Sequence, residues 1–203
     1  MAYQPDPLAA GRLGAIAQKL ADATPIPNNF HPAPRFLGQL ASGEVFFDSA
    51  LELDTDGWPD GDGAGDDDWQ PDTSLRFADH GSLDANRVAY FVLPLPPSWP
   101  RQFGIELGDY AVVVFKSHVA FAVFGDRGPR TKIGEGSIEL LRRLGAERLR
   151  PDGTVINAGM GPRVVTIVFP GSGKLSDRTD EPSLIQSIDV TGKQLFVALG
   201  GNP

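Results

Sequence analysis

Two runs of β-branched and aromatic residues, Tyr110 to Phe115 (YAVVVF) and Val119 to Phe124 (VAFAVF), lie either side of Lys116-Ser117-His118. Runs of this length and composition form strands, and so short a connection leaves room only for a hairpin. The middle of the chain is therefore an antiparallel β-core, with His118 expected at its tip. Glu44 to Leu53 (EVFFDSALEL), Val88 to Leu95, Val164 to Phe169 and Gln194 to Leu199 read as further strands. Gly 24 and Pro 18 make up about a fifth of the 203 residues, which favours short elements joined by turns. Two helical patterns stand out. Leu13, Ile16, Ala17 and Leu20 recur at helical spacing within Leu8 to Ala23, and Ile138, Leu141 and Leu144 recur after Ser137, a capping residue, and before Gly145, a terminator. A short helix or turn is expected from Pro182 to Ser187. The tally predicts a mainly β fold: a closed or nearly closed β-barrel of six to seven strands with one or two packed helices.

A chain of this length fits one domain. Residues 24 to 38 hold four prolines and no period, so residues 1–38 are expected to form an N-terminal helix and Pro-rich linker packed on the domain, with 39–203 a single β-barrel domain. The absence of cysteine rules out a disulfide framework, a thiolate metal site and a cysteine nucleophile. The apolar runs fall far short of the roughly 20 residues that span a bilayer, so no membrane partner is expected. No basic n-region followed by an apolar h-region is legible in the first twenty residues. The oligomeric state is not legible.

Charge narrows the partners. A net charge of −8 repels nucleic acid and suits a cationic or neutral partner. The acids are also concentrated: 13 of the 26 lie between Glu44 and Asp84, where Arg76 is the only Lys or Arg. The segment from Asp54 to Asp72 is rich in Gly, Pro and Asp, reads as a long loop, and is flanked by Trp58 and Trp69. Those rings either stack on sugars or anchor the loop, and the acids either bind a cation or lie solvated.

Several motifs fail. Gly171-Ser172-Gly173-Lys174 follows a strand as a phosphate loop does, but Val168 stands where the first glycine belongs and Leu175 replaces the hydroxyl residue, leaving a turn. The run from Asp60 imitates a calcium loop, yet Ala64 and Pro71 occupy its fifth and twelfth positions, so no metal is expected there. His31, His80 and His118 are too scattered for a zinc site or a Ser-His-Asp triad. What remains is Asp126, closing a strand, and Glu135, between Gly134 and Gly136. An aspartate closing a strand serves equally as a turn former or helix cap, so position alone leaves its role open.

The stretch VAFAVFGDRGPRTKIGEGSIELLRRLG (residues 119 to 145) resembles the central motif of the glycoside hydrolase family 75 chitosanases, in which a strand ends in a GD-x-GP turn and an IGE-[AG]-S segment opens a helix. Val45-Phe46-Phe47 with Leu53-Asp54-Thr55-Asp56-Gly57, Gln70 to Leu75, Tyr90 to Pro94 and Val168 to Gly173 are similar to further family segments, in the same order. The resemblance covers residues 44 to 173. It implies an endo-acting hydrolase that cleaves the β-1,4-linked glucosamine polymer chitosan by inversion, with Asp126 and Glu135 as its two essential carboxylates and no cofactor. It also implies an extracellular protein, and the order strand, GD turn, glutamate, helix separately resembles the double-psi β-barrels of lytic transglycosylases and family 45 cellulases. A cationic amino-sugar polysaccharide matches the acidic loop, so Asp54, Asp56, Trp58 and Trp69 are the candidate substrate-binding residues. The alternatives are a hydrolase of another amino-sugar glycan such as peptidoglycan, or a non-catalytic carbohydrate-binding domain.

Overall fold

The computed structural model describes residues 2–96 and 98–203. Its strands are β1 (Thr24–Pro25), β2 (Phe36–Gln39), β3 (Val45–Asp54), β4 (Tyr90–Pro94), β5 (Tyr110–Phe115), β6 (His118–Gly128), β7 (Glu135–Ser137) and β8 (Met160–Val168). Six of them close in the order β3-β7-β4-β6-β5-β8, with β8 pairing back to β3, while β1 and β2 extend the sheet beyond β3. The β3/β7 and β4/β6 pairs are parallel and the other barrel pairs antiparallel, so the expected closed barrel is present as a mixed one.

The helices are α1 (Pro7–Leu13), α2 (Ile16–Ala21), α3 (Ser98–Gln102), α4 (Ile138–Arg143) and α5 (Glu181–Leu199). Both α1 and α5 pack on the β5–β6 hairpin. That cover explains why the hairpin strands read as continuous apolar runs rather than alternating ones, since strands buried on both faces have no polar side to show.

The hairpin turn is tighter than expected. Phe115 pairs with His118, so Lys116 and Ser117 form the turn, Lys116 takes φ 53°, and His118 opens β6 instead of sitting at the tip. The Ser137 cap does form, its hydroxyl accepting from the Leu140 N–H at 3.1 Å.

Three expectations need correction. Gln194 to Leu199 is not a strand but the last part of α5, and the segment from Pro182 is its beginning. The buried stripe of this helix runs Leu184, Ile188, Gly192, Phe196, and its middle member is a glycine because the helix comes so near β6 that a Cβ there would lie 2.7 Å from Cβ of Phe121. A hydrophobic pattern cannot register that member. The helix expected from Leu8 to Ala23 is broken at Gly14 (φ 53°), where the Ala15 N–H donates to the Gly200 carbonyl at 3.1 Å and a Cβ on Gly14 would meet that same oxygen at 2.8 Å. Finally, residues 24 to 38 are not purely linker, since β1 and β2 add to the sheet there and the expected boundary at residue 38 falls inside β2.

The N-terminal segment is tied to the barrel through a buried polar contact. The Tyr3 hydroxyl donates to Oδ2 of Asp48 at 2.9 Å, with Arg35 Nε 3.5 Å from the same oxygen. Asp48 has no exposed surface, and burial pushes its carboxyl above the usual range. Tyr3→Phe should lower stability by about 1–3 kcal/mol, because a buried acceptor loses its donor. The urea midpoint measures this, and an unchanged midpoint would show that the N-terminal segment is not part of the cooperative unit.

Candidate active site

Asp126 and Glu135 reach one face of the barrel from strands two apart. Val92 of β4 pairs with Glu135 of β7 on one side and with Asp126 of β6 on the other. Directly paired residues point to the same face, so the two carboxylates flank Val92. Two strand spacings put their backbones roughly 9.5 Å apart.

A bulge makes this alignment possible. Phe91 pairs with Phe124 and Val92 with Asp126, so Gly125 is the extra residue on β6. Were Gly125 paired regularly with Val92, Asp126 would share the face of Phe124, whose ring stacks on Phe91 at 5.6 Å. The bulge turns Asp126 to the opposite face. Glycine is required there, since a Cβ on Gly125 would lie 2.5 Å from Cβ of Tyr90. β6 thus continues past its expected end at Phe124, and Asp126 lies within the strand instead of after it.

The same face carries Glu52 and Asp54 of β3, through the pairings Glu52 with Glu135 and Asp54 with Ser137. Asp56 follows in the loop, and its N–H donates to Oδ1 of Asp54 at 2.8 Å. Carboxylate oxygens of Asp54, Asp56 and Asp126 all lie within 4.8 Å of one another. Donors are arranged around them. Oδ1 of Asp126 accepts from Ser74 N (2.8 Å), Ser74 Oγ (2.6 Å) and Arg127 N (2.8 Å), Oδ1 of Asp56 from Gln70 N (2.6 Å), and Oδ1 of Asp54 also from the Tyr90 hydroxyl (2.9 Å). By spacing alone this is the one group of three acids among the described residues able to surround a cation. The donors already on each carboxyl make it a hydrogen-bonded carboxyl cluster instead.

Burial dominates the electrostatics. It pushes Asp54 up to about 7, against the Asp56 N–H and with help from the charge of Asp126. It pushes Asp56 up to about 8, reinforced by Asp54 and by a side-chain hydrogen bond with Asp126. At neutral pH and below, much of this cluster is therefore protonated and neutral. Burial also raises Glu135, against Lys132, whose Nζ lies 2.6 Å from Oε1 of Glu135 and 2.7 Å from Oε2 of Glu52. The other oxygen of Glu135, Oε2, faces Gly128, where a Cβ would lie only 2.6 Å away.

An open cleft of about 1390 Å³ runs over this face. Its lining includes the acids Glu52, Asp54, Asp56, Asp66, Asp68 and Glu135 and the bases Arg127, Arg130 and Lys132, the last paired with Glu52 and Glu135. Asp66 is fixed by the Thr55 hydroxyl, which donates to its Oδ2 at 2.7 Å. Acidic-loop residues thus do reach the cleft.

The tryptophans do not. Trp58 is buried at 4% exposure, the Trp69 indole N–H donates to the Trp58 carbonyl at 3.1 Å, and neither is among the residues lining the cleft. Trp69 packs on Gly61, so the pair anchors the loop. The turn at Gly171 to Lys174 is likewise structural, because its Gly171 and Gly173 amides are taken by the Asp109 carboxylate at 3.0 and 2.6 Å.

Sequence reasoning gave Glu52, Tyr90 and Gly128 no role, and it put Lys132, with Arg127 and Arg130, beside Asp126, whereas Lys132 pairs with Glu135 and Glu52. Glu52 carried a signal, since it stands two residues before Asp54 on one strand and so shares its face. Lys132 stands three residues before Glu135. Tyr90, 36 residues from Asp54, offered none.

A family model described as fungal chitosanase of glycosyl hydrolase group 75 matches residues 51–197 of the chain. No curated protein matches it. The family match begins within β3, so α1, α2, β1, β2 and the start of β3 lie outside it.

Proposed function

The chain belongs to the fungal chitosanase family of glycosyl hydrolase group 75 and is a glycoside hydrolase of chitosanase type; from that premise we propose that it cleaves β-1,4-linked glucosamine polymer internally, with inversion, using Asp126 and Glu135. The observation that carries this reading is the ladder Glu135–Val92–Asp126, which sets two carboxylates on one face of the barrel from strands two apart. Glu135 lines the cleft, while Asp126, 4% exposed and not among the lining residues, lies against Asp54 and Asp56, which do line it. Inverting enzymes keep their carboxyl groups about 6.5–9.5 Å apart to admit a water, against about 5–5.5 Å for retaining ones. Backbones roughly 9.5 Å apart, with Val92 between them, leave room for a water between two carboxyls that project side by side.

Glu135 is the acid. Burial favours its protonated form, Lys132 occupies Oε1, and Oε2 is the atom that gives its proton to the glycosidic oxygen as the C1–O bond breaks. Asp126 is the base, its Oδ1 held by three donors. It takes a proton from the water that attacks C1 on the opposite face. Reprotonation of Glu135 and loss of the proton from Asp126 to solvent complete the cycle.

The substrate is a polysaccharide whose ammonium groups meet Glu52, Asp66 and Asp68. We place the catalytic unit in the barrel from β3 onward, with α1, α2, β1 and β2 packed on it, and the protein outside the cell. No helix among the described residues is long and apolar enough to cross a membrane.

The test is release of reducing ends from chitosan, chitin and peptidoglycan in parallel, with the anomer of the new end followed by NMR. Chitosan cleavage with the α-anomer appearing first supports the reading. Cleavage of peptidoglycan alone would replace the substrate, and binding without turnover would replace the enzyme by a carbohydrate-binding domain. Asp66→Asn with Asp68→Asn should raise KM for chitosan severalfold with kcat little changed. The effect should shrink with added salt, because exposed charges are screened over about 8 Å at physiological ionic strength. An unchanged KM at low salt makes these two acids mere solvated surface.

A further inference from the structure

Resting on that reading, we propose that Asp56 is a positioning residue for the base: its carboxyl stays protonated and donates a hydrogen bond to Oδ2 of Asp126, so that Asp126 is presented to the water as an oriented anion. Asp54 and Asp56 were expected from the sequence to meet the substrate's ammonium groups as anions. Their placement argues for a different task. The oxygens of Asp54, Asp56 and Asp126 crowd within 4.8 Å, and like charges that close cannot all ionise. One oxygen of each carboxyl is already engaged: Oδ1 of Asp126 by Ser74 and Arg127, Oδ1 of Asp56 by Gln70, and Oδ1 of Asp54 by Tyr90 and the Asp56 N–H. These donors leave Oδ2 of all three carboxyls without an N–H or O–H partner among the described residues. Within this group, whose oxygens lie within 4.8 Å of one another, Asp56 is the neighbour that acts on Asp126 by a side-chain hydrogen bond when it carries the shared proton.

Every charged or titratable group around Asp56 favours that arrangement or is neutral to it. Asp54 on β3 and Asp126 on β6 add negative charge beside Asp56, and Glu135 on β7 adds it beside Asp54. Tyr90 on β4 contributes a hydroxyl within 2.9 Å of the Asp56 carbonyl oxygen. Lys132 is drawn away to Glu52 and Glu135. Arg127 lines the cleft, and among the described residues it forms no ion pair with Asp56. Burial adds to the effect by raising the Asp56 carboxyl well above its ordinary range. The donor exists below that raised value and is lost as pH rises through it, when a second negative charge appears beside the base.

Asparagine separates this role from an ammonium-binding one, because it keeps a donor at the same place but cannot ionise. With chitosan as substrate, Asp56→Asn should keep kcat at pH 5.5 within about threefold and leave KM unchanged, and its alkaline limb should move to higher pH. Asp56→Ala should lose about 10- to 100-fold in kcat through misplacement of the base, with the same KM. A rise in KM for Asp56→Asn at retained kcat, or equal loss in both variants, overturns the proposal. A substrate-free readout keeps it apart from the functional reading: in ¹³C-aspartate-labelled protein the Asp56 carboxyl should titrate far above the ordinary value of about 3.9, and Asp126→Asn should shift it. A normal Asp56 titration in a protein that does cleave chitosan overturns the proton sharing alone. A raised, Asp126-dependent titration in a protein that does not cleave chitosan sustains the sharing and removes the substrate.

Discussion

Asp126→Asn and Glu135→Gln should each lower kcat for chitosan by at least about 100-fold, the lower end of what a single proton-transferring group contributes. Both substitutions keep shape. Asparagine at 126 retains an Oδ1 that accepts from Ser74 and the Arg127 N–H, and glutamine at 135 retains an oxygen for Lys132. Stability should therefore change little, and a melting curve alongside the assay separates loss of chemistry from loss of fold. The two variants should also differ. Glu135→Gln removes the proton the leaving oxygen needs, so its loss should be smaller on a substrate carrying an activated leaving group that departs without protonation. Asp126→Asn removes the base that activates water, and its loss should persist on such a substrate. If both variants kept near-full hydrolysis of chitosan, the assignment of this pair would fail even though the fold and the family stand.

Much of this site was legible because its signals are local. The hairpin runs Tyr110 to Phe115 and Val119 to Phe124 announce strands through their own composition, and the GDRGP and IGEGS segments bring both carboxylates with them. What escaped were features made by chain segments far apart. The Gly125 bulge exists because β6 runs alongside Tyr90, and nothing within residues 119 to 128 tells a strand-ending glycine from one that re-aims the next side chain. The stripe of α5 is broken at Gly192 by Phe121, 71 positions away, and so Leu195, Phe196 and Val197 read as strand. The tryptophans were legible only as a pair of alternatives. An aromatic residue beside an acidic loop suggests a sugar platform, but the loop needed its own small core, and Trp58 and Trp69 supply it. Asp54 and Asp56 were legible as residues, but their burial beside Asp126 is invisible in a D-x-D spacing.

Gly128→Ala should cost about 100-fold in kcat with little loss of stability, and the reason lies in one oxygen. Gly128 shares the face of Asp126, two residues back on β6, and pairs with Pro94 of β4. A methyl group there would stand 2.6 Å from Oε2 of Glu135 and 2.9 Å from Cγ1 of Val92. Neither contact is tolerable as it stands, but the two neighbours are not equally free to yield. Val92 is buried at 2% exposure between β7 and β6, whereas the Glu135 carboxyl ends in the open cleft, so the carboxyl is what moves. Its displacement takes Oε2 away from the place where the glycosidic oxygen must receive its proton, and a misplacement of about 1 Å can cost 100-fold. The backbone at residue 128 is extended strand rather than a left-handed turn, so alanine adds no conformational strain there. Kinetics and melting temperature together decide the matter. A variant with normal kcat would mean that Oε2 is not the proton-carrying atom and that Glu135 works through Oε1 beside Lys132, while a fall in melting temperature matching the loss of activity would place the role of Gly128 in packing the barrel.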